Sequence, residues 1–541
     1  MPKISVPIVN EAPHDLVRKS IAKDKSLRDC GFILRHQANP ALQTSGKVPI
    51  FAPLNNIPGE TTSMCTTILA GAKATADGSL IIARSADSDA LKAQHMIFHK
   101  ARKPAKLYRT SDFGGANQFE YRLPKKGYSY TTVPNWKTGL HGATGWNSKG
   151  VGITGTESIF AKDEALAYDP YVKEIGITED DIPDVILPQA KSARHGAELL
   201  GRIVSTTGCA EGFGVAFVDS KEIWYLETAT AHHWLAVRLP DACAFGSANQ
   251  GRLQTYNAAD TDNFMASDKL AEFAIANGFW NGSVKDFNFF KAYTRDDERD
   301  LAYNIPRVYQ ILRKFLPDFD ESFEKGGEYP VFVKPESQVT VEDVKALLRD
   351  HYSEGPLAEH DPYTNGQGGK EPLRPISVFR TYESHVMQVR PWLPQAIGEV
   401  TYLAMGMADL SVYFPVYQGM SKFPKALSLG SNEADDESAY WIFRKVQTLA
   451  MTDYVRLAPI VKEAYGKYEA ALPEKMQEIE KRYLHLLHAD EKRAKKYLQK
   501  QNAKLINEAL SLAQDVLNRL FTAATGNVQA SIFFANRAKK D

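Results

Sequence analysis

A stretch at residues 65–87 constrains the fold of this 541-residue chain more than any other part of the sequence. Two nearly continuous apolar runs, residues 68–72 and 80–83, stand on either side of the pair Asp77-Gly78. Because Gly adopts positive φ without steric cost, such a pair can close a tight hairpin turn. Apolar runs bounded by turn residues are typical of strands buried on both faces. The sequence therefore predicts a buried β-hairpin.

Three chemically active side chains are expected at the open end of this hairpin. With the turn centred on Asp77-Gly78, the returning strand carries Arg84 and Asp87 back beside Cys65. A neighbouring guanidinium stabilises a thiolate, and a carboxylate can orient both the guanidinium and an ammonium group. Cys65 is therefore a candidate nucleophile. The alternative is a small buried cysteine at the start of a strand, which describes most free cysteines.

Met64 directly precedes Cys65, and this bears on how the thiol is activated. If the chain is removed up to Met64, Cys65 carries a free α-amino group, whose ordinary pKa of about 7.7–8.0 suits a general base. Nucleophile and base then belong to one residue. Residues 1–64 have three interpretations: a cleaved propeptide, an upstream segment that is not translated, or a retained extension that blocks the amine. The Met-Cys pair favours the second.

The hairpin motifs resemble those of a known family. They are Cys65-Thr66-Thr67, Asp77-Gly78 and Arg84-Ser85-Ala86-Asp87. This pattern is similar to the mature start of the cysteine dipeptidase A family, within the N-terminal-nucleophile hydrolase superfamily. Penicillin V acylases and choloylglycine hydrolases share the Cys and Arg-x-x-Asp pattern more distantly. The resemblance implies an α+β fold, a four-layer αββα sandwich with a C-terminal helical extension.

The resemblance also implies site residues further along the chain. Asn147 lies in a predicted turn where the acylase relatives use an Asn in the oxyanion hole, although Ser148 replaces the Glu usual in the family. Asn249 matches an Asn that orients the nucleophile's amine and the oxyanion. Glu157, near the end of a predicted strand, and Arg390 are candidates for binding substrate. For Asn147 a turn role is the alternative, and for Arg390 a structural salt bridge.

Hydrophobic patterns predict a mixture of strands and helices, as expected for an α+β protein. Strands are predicted at residues 151–156, 212–218, 222–227, 234–239, 243–248 and 378–391, and helices at 193–204 and 305–316. Residues 433–524 have helical periodicity, with breaks predicted at Pro459 and Pro473. The predicted organisation is an N-terminal segment (1–64), a catalytic domain (65–430) with an insertion near 260–375, and a helical extension (431–541).

Composition argues against several other classes of protein. The 65 basic and 65 acidic residues cancel, which gives no electrostatic case for binding nucleic acid or a membrane surface. No apolar run approaches the roughly 18 residues of a membrane helix. Four scattered cysteines favour a reducing compartment, the cytoplasm. We expect no cofactor and no metal, since adjacent His232 and His233 point to opposite faces of a strand.

Together these features predict a cysteine-type dipeptidase that forms a thioester at Cys65. Arg84 would stabilise the thiolate, and Asp87 would hold an ammonium group. The expected partners are dipeptide substrates, and a homo-oligomer is possible. Two alternatives stay open: an acylase, amidase or acyltransferase that acts on N-acyl amino acids or other non-peptide amides, and a non-catalytic binding relative.

Overall fold

The predicted hairpin is formed by two antiparallel strands, β1 (Thr66–Ala70) and β2 (Leu80–Asp87). Gly78 has φ of +82° in the connecting turn, a conformation that suits glycine. Every residue of both strands is buried, as the uniformly apolar runs predict. The register pairs Thr67 with Arg84, so the hairpin brings residue 84 back to the start of β1.

A computed structural model describes residues 65–103, 106–110, 116–137, 144–364 and 373–537, apart from the side chains of 156–157 and 532–537. The described residues belong to one compact unit, Thr61–Asp541. The remaining strands are β3 (Ile97–His99), β4 (Leu107–Arg109), β5 (Glu120–Arg122), β6 (Tyr130–Thr132), β7 (Thr144–Trp146), β8 (Gly152–Ser158), β9 (Phe213–Val218), β10 (Ile223–Thr228), β11 (Trp234–Arg238), β12 (Ala244–Ser247), β13 (Phe264–Ala266), β14 (Phe332–Val333), β15 (Thr381–Val389), β16 (Glu399–Met405) and β17 (Phe414–Tyr417). Strands therefore overlap all six ranges predicted from the sequence, and two of them, β8 and β10, end one or two residues later than predicted.

Two large antiparallel sheets contain most of these strands. The first has the order β14-β12-β1-β2-β15-β16-β17, and the second β13-β11-β10-β9-β8-β7. Alternate residues of β1 enter different apolar clusters. Leu69 packs in a cluster with Val218 and Leu235 of the second sheet, whereas Ile68 packs in a cluster with helical residues such as Ile311. The hairpin is therefore buried on both faces because each face has its own partner layer.

Helices make up the rest of the regular structure. They are α1 (Asp163–Leu166), α2 (Ile182–Ile186), α3 (Ala193–Thr207), α4 (Leu270–Ala276), α5 (Phe289–Tyr293), α6 (Glu298–Tyr303), α7 (Ile305–Phe315), α8 (Val341–Arg349), α9 (Gln395–Gly398), α10 (Ala439–Met451), α11 (Tyr454–Ala470), α12 (Leu472–Ala489) and α13 (Glu491–Arg537). The mixture of helix and sheet confirms the predicted α+β class. The helices predicted at 193–204 and 305–316 form as α3 and α7.

Helix α3 shows how a helix is seated on the second sheet. Ser192 accepts a hydrogen bond from the backbone N–H of His195 (3.1 Å), which caps the N-terminus. Gly201 lies against the indole of Trp234, where a Cβ would come within 2.2 Å of the ring. The small residue therefore allows close contact between this helix and β11.

The C-terminal helices pack on the first sheet and differ from the prediction at one proline. Pro473 lies in the first turn of α12, where a missing N–H costs little, as predicted. Pro459 lies inside α11, so the predicted break there is wrong. The hydrogen bond that Pro459 cannot donate is the one to the carbonyl of Val455, and Val455 is 62% exposed. Water can hydrate that carbonyl, which explains why the helix tolerates the proline.

Helix α13 also covers the edge strand of the first sheet. The side-chain amide of Asn502 donates to the carbonyl of Pro415 (2.7 Å) and accepts from the N–H of Tyr417 (2.9 Å). Edge strands present unpaired backbone groups that favour aggregation. The amide of Asn502 takes the place of a neighbouring strand for two of these groups.

A buried glutamate at the start of β16 generates a prediction about stability. Glu399 is 4% exposed, and its Oε2 has no hydrogen-bond partner among the described residues. Burial raises its pKa from 4.5 to about 8. Between these values the folded protein keeps a proton that the unfolded chain has lost, so stability falls as the pH rises from about 4.5 to about 8.

We expect Glu399→Gln to flatten this pH dependence, because the amide cannot ionise. Each pKa unit corresponds to roughly 1.4 kcal/mol, so the difference should reach a few kcal/mol. Urea denaturation at pH 5, 6.5 and 8 gives the free energy of unfolding at each pH. The change of this free energy with pH, and not its absolute value, is compared between the variant and the wild type. Glu354→Gln, an exposed change of the same type, is the matched control. Parallel slopes for wild type and Glu399→Gln would contradict the prediction.

Candidate active site

Cys65 lies immediately before β1 and is completely buried. Its Sγ is 2.8 Å from Nη2 of Arg84, which is 2% exposed. Burial alone would lower the pKa of Arg84, but the charges around it, that of Cys65 first and then those of Tyr382 and Glu179, raise it instead. Arg84 therefore stays cationic beside the sulfur. A thiolate next to such a cation is stabilised and nucleophilic.

The strand on the other side of β1 brings Asn249 to the same place. The register of β1 and β12 pairs Thr67 with Ser247, and its continuation by two residues sets Asn249 opposite Cys65. The side chain of Asn249 is buried, and its Nδ2 donates to the carbonyl of Ser158 (3.0 Å). Cys65, Arg84 and Asn249, three of the five predicted catalytic residues, therefore lie together.

Arg307, in the first turns of α7, joins two of these residues. Its Nη1 donates to the backbone carbonyl of Cys65 (2.6 Å), and its Nη2 donates to Oδ1 of Asn249 (3.0 Å). Burial, the larger effect, and the charge of Arg374 together lower the pKa of Arg307 to about 9. The planar guanidinium fork suits this double contact, since its N–H groups point at two acceptors in fixed directions. Arg307 thus fixes the nucleophile's backbone relative to the amide of Asn249.

Asp87 lies on the opposite pleat of β2 from Arg84, because neighbouring residues alternate along a strand. Its carboxylate accepts hydrogen bonds from Ser85 (2.8 Å), Thr381 (2.6 Å) and the guanidinium of Arg374. The Tyr303 ring connects this pair to Arg307, since the guanidinium carbons of Arg374 and Arg307 lie 5.5 and 5.2 Å from its centre. The carboxylate of Asp87 thus supports Arg374 rather than Arg84. Its predicted role of holding an ammonium group stays a prediction.

Asn147 is engaged elsewhere. Both N–H groups of its side chain are donated, to the carbonyls of Leu187 and Ala190 at 2.8 Å each. Its Oδ1 accepts from the N–H groups of Lys149 (2.9 Å) and Val151 (3.1 Å). The amide therefore anchors a turn, the alternative noted from the sequence. This arrangement leaves no side-chain N–H of Asn147 for an oxyanion.

The two predicted substrate-binding residues have different outcomes. Arg390 forms a bidentate ion pair with Glu480 of α12, at 3.1 and 2.7 Å, which is the salt-bridge alternative. Glu157 pairs with Gly214 between β8 and β9, and its side chain lies outside the described residues. Its role in binding substrate stays a prediction.

Several residues near Cys65 could not be identified from the sequence. Lys92, whose Nζ lies 4.9 Å from the centre of the Tyr382 ring, has a pKa lowered to about 8, mainly by burial. The charges of Cys65 and Glu179 oppose this shift. Glu179 donates its backbone N–H to the carboxylate of Glu211 (3.0 Å). Lys92 and Glu179 lie in loops or short turns without a motif, and Arg307 resembles an ordinary polar residue of an amphipathic helix.

The described residues contain no group of three or more His, Cys, Asp or Glu residues that could hold a metal ion. The histidines at 232 and 233 contact Asp169 (2.7 Å) and Ser267 (2.9 Å), respectively. None of the described helices combines the length and the apolar character needed to cross a membrane.

Comparison with known proteins identifies the family. The model of peptidase family C69 matches residues 64–467, most of the chain. The chain belongs to peptidase family C69. Similar proteins include a probable dipeptidase of Salmonella dublin, 48% identical over 66% of this chain and 82% of that protein. A probable dipeptidase of Latilactobacillus sakei is 34% identical over 76% of this chain and 83% of that protein. Probable dipeptidase B of Lactococcus lactis is 31% identical over 87% of this chain and 98% of that protein.

These similarities confirm the family predicted from the hairpin motifs. The C69 match begins at residue 64, one position before Cys65, and continues into α11. It therefore covers both large sheets and the elements that carry Arg84, Asn249 and Arg307. The protein is a member of a peptidase family.

The double contact of Arg307 leads to a test of stability. Arg307→Lys keeps the positive charge but loses the fork. The guanidinium donates to oxygens of Tyr303, Cys65, Thr66, Asn249 and Asn304, so the three N–H groups of a lysine leave at least two of these acceptors without their donor. We expect a loss on the order of 2–4 kcal/mol, since a hydrogen bond to a charged group contributes about 1.5–3 kcal/mol. Urea denaturation measures the loss. Arg313→Lys, six residues along α7, is the control, because the Arg313 side chain donates to a single backbone carbonyl among the described residues, that of Phe319 (2.9 Å). Equal losses in both variants would refute the bridging role.

Proposed function

We propose that the protein is a cysteine-type dipeptidase whose nucleophile is Cys65, acting as the first residue of the active chain. The observation that carries the proposal is the 2.8 Å contact between the Arg84 guanidinium and the Cys65 sulfur, one residue after the start of the C69 match. The relatives named as dipeptidases support dipeptides as the substrate class. We further propose that the two sheets and their flanking helices form the αββα sandwich of N-terminal-nucleophile hydrolases.

The first half of the reaction forms a thioester. The α-amine of Cys65 takes the thiol proton, while Arg84 stabilises the resulting thiolate. The sulfur attacks the carbonyl carbon of the peptide bond and gives a tetrahedral oxyanion. The C–N bond then breaks, and the ammonium of Cys65 returns its proton to the departing amine. The first amino acid of the substrate stays bound to the sulfur.

The second half hydrolyses the thioester. Water attacks the carbonyl carbon and gives its proton to the α-amine of Cys65, and the C–S bond breaks. The ammonium of Cys65 then returns this proton to the departing sulfur, which restores the thiol, and the free carboxylic acid leaves. No other reactant is consumed, so one water is used for each peptide bond.

Asn249 is the proposed oxyanion donor. Its Oδ1 is held by Arg307 (3.0 Å), which fixes the orientation of the amide and so the direction of its N–H groups. A preorganised donor near the developing charge contributes about 2.7–4 kcal/mol to the barrier. Asn147 has no such role in this proposal, because the carbonyls of Leu187 and Ala190 accept both of its N–H groups.

Charged side chains around Cys65 suit a zwitterionic dipeptide. Lys92 supplies a positive charge for the substrate's carboxylate, and Glu179 supplies a negative charge for its ammonium. Both charges act on Arg84, which lies against the nucleophile. An N-acyl amino acid has no ammonium group, so this arrangement favours dipeptides over the acylase alternative. The described cysteines, Cys65, Cys209 and Cys243, are free thiols, consistent with the proposed cytoplasmic location.

The role of the α-amine predicts a dependence on where the chain begins. A protein that begins at Cys65, verified by intact mass, should hydrolyse dipeptides, and one that retains residues 1–64 should be inactive because the base is an amide. Cys65→Ala should abolish turnover in the processed protein, whereas Cys243→Ala, the thiol control, should retain it. Release of amino acids from a panel of dipeptides and N-acyl amino acids measures the effect of the chain start and the effect of each cysteine substitution. Equal rates with and without residues 1–64 would exclude the amine as base.

The two asparagines provide a matched pair for the oxyanion proposal. Asn249→Ala should lower kcat by about 10²–10³, the usual effect of removing an oxyanion donor. Asn147→Ala should instead lower the melting temperature, because four hydrogen bonds are lost, three of them buried. Its kcat per folded molecule should change much less. A large fall in kcat for Asn147→Ala with an unchanged melt would reverse the two assignments.

A further inference from the structure

A cavity lies beside the small sheet of β3 and β6, and it shares no residue with the site around Cys65. Its volume is about 330 Å³. Its lining includes His99, Lys100, Arg102, Lys106, Tyr130 and Asp184. Most of these side chains are basic, although the protein as a whole has no net charge. The cavity is therefore a local concentration of positive charge.

Arg102 is the most unusual of these residues. Its Nη1 and Nη2 are buried and have no hydrogen-bond partner among the described residues. Backbone hydrogen bonds with Gly127, at 3.1 and 3.2 Å, hold the residue in place. A Cβ on Gly127 would lie 3.0 Å from Nη2, so the guanidinium packs directly against this glycine. Buried N–H groups without acceptors are costly, and a bound acceptor would satisfy them.

The remaining charges leave the cavity positive. Lys100, Arg102 and Lys106 are cationic, and Asp184 is the carboxylate among the lining residues. Asp184 already accepts a hydrogen bond from the hydroxyl of Tyr130 (2.6 Å). The pKa of His99 is lowered, first by burial and then by Lys106 and Arg102, with Asp184 opposing. With His99 neutral, the three cations and the one carboxylate give the cavity a net charge of +2.

Two rings form a rigid wall next to these charges. His99 and Tyr130 stack at 4.1 Å with an angle of 1° between their planes. The Nε2 of His99 also lies 2.8 Å from the hydroxyl of Thr132, which fixes the orientation of the imidazole. A preformed wall keeps the cavity open for a small ligand without a large rearrangement.

We propose that this cavity binds a small dianionic oxyanion, the phosphoryl or dicarboxylate group of a metabolite, with Arg102 as its bidentate partner. The guanidinium fork matches two oxygens of such a group, and Lys100 and Lys106 supply further positive charge. A charge of −2 balances the excess at the site. The proposal does not depend on the reaction at Cys65.

Calorimetric titration of the full chain with inorganic phosphate tests the site, with chloride at matched ionic strength as the reference. We expect one saturable phosphate site. Arg102→Gln should weaken binding at least tenfold and Lys106→Gln several-fold. Lys125→Gln, which removes an exposed charge outside the cavity, should leave binding unchanged. A parallel titration with malonate separates a phosphoryl ligand from a dicarboxylate, and saturable binding of either supports the proposal.

A second measurement does not depend on the stability of the Arg102 variant. Phosphate should shift the imidazole proton resonances of His99 and raise its pKa, because the anion offsets the charges of Arg102 and Lys106. Lys106→Gln changes an exposed residue and should reduce the shift while the fold is retained. The proposal is overturned if neither phosphate nor malonate binds better than chloride, or if Lys106→Gln and Lys125→Gln bind the anion equally.

Discussion

The pairing of β1 with a strand on each side is the constraint on which the site around Cys65 depends. Its register with β2 fixes the position of Arg84, and its register with β12 fixes that of Asn249. A shift of either pairing by one residue would turn the side chain concerned to the other face of the sheet. The apolar residues of β1 oppose such a shift, because Ile68 and Leu69 belong to different clusters on the two faces. Packing therefore determines the chemistry at the end of the strand.

Buried guanidinium groups are a second feature of this region. Arg84, Arg307 and Arg374 are all nearly inaccessible to solvent. Their pKa values are nevertheless shifted in different directions. Nearby negative charges raise the pKa values of Arg84 and Arg374, although burial opposes both shifts. Arg307 has a lowered pKa and contacts neutral oxygens of Cys65 and Asn249. A buried charge is costly unless it is paired or hydrogen-bonded, so these residues are held in fixed positions.

The C-terminal helices are joined to the first sheet by charged as well as apolar contacts. Arg390 follows β15 and pairs with Glu480 of α12, while Arg349 of α8 pairs with Glu469 of α11. Each pair is at least half-buried and has two contacts between guanidinium and carboxylate. Such geometry gives directional contacts that surface pairs lack. The helices thereby support the first sheet near β15, and β15 pairs with β2, the strand that carries Arg84.

Local sequence signals determined the hairpin, the α+β class and the meeting of Arg84 with Cys65, because turn residues and apolar runs act over short distances along the chain. They also led to Asn249, through its place after a predicted strand and the family pattern. Tertiary structure decided the rest. Arg307 reaches Cys65 from 242 positions away, so no local pattern could reveal it. Asn147 has the expected turn, yet only the packing of the carbonyls of residues 187 and 190 shows that its amide is already occupied. Spacing and periodicity identify strands and candidate groups, whereas the hydrogen-bond partners of a buried polar group depend on which distant segments the fold brings against it.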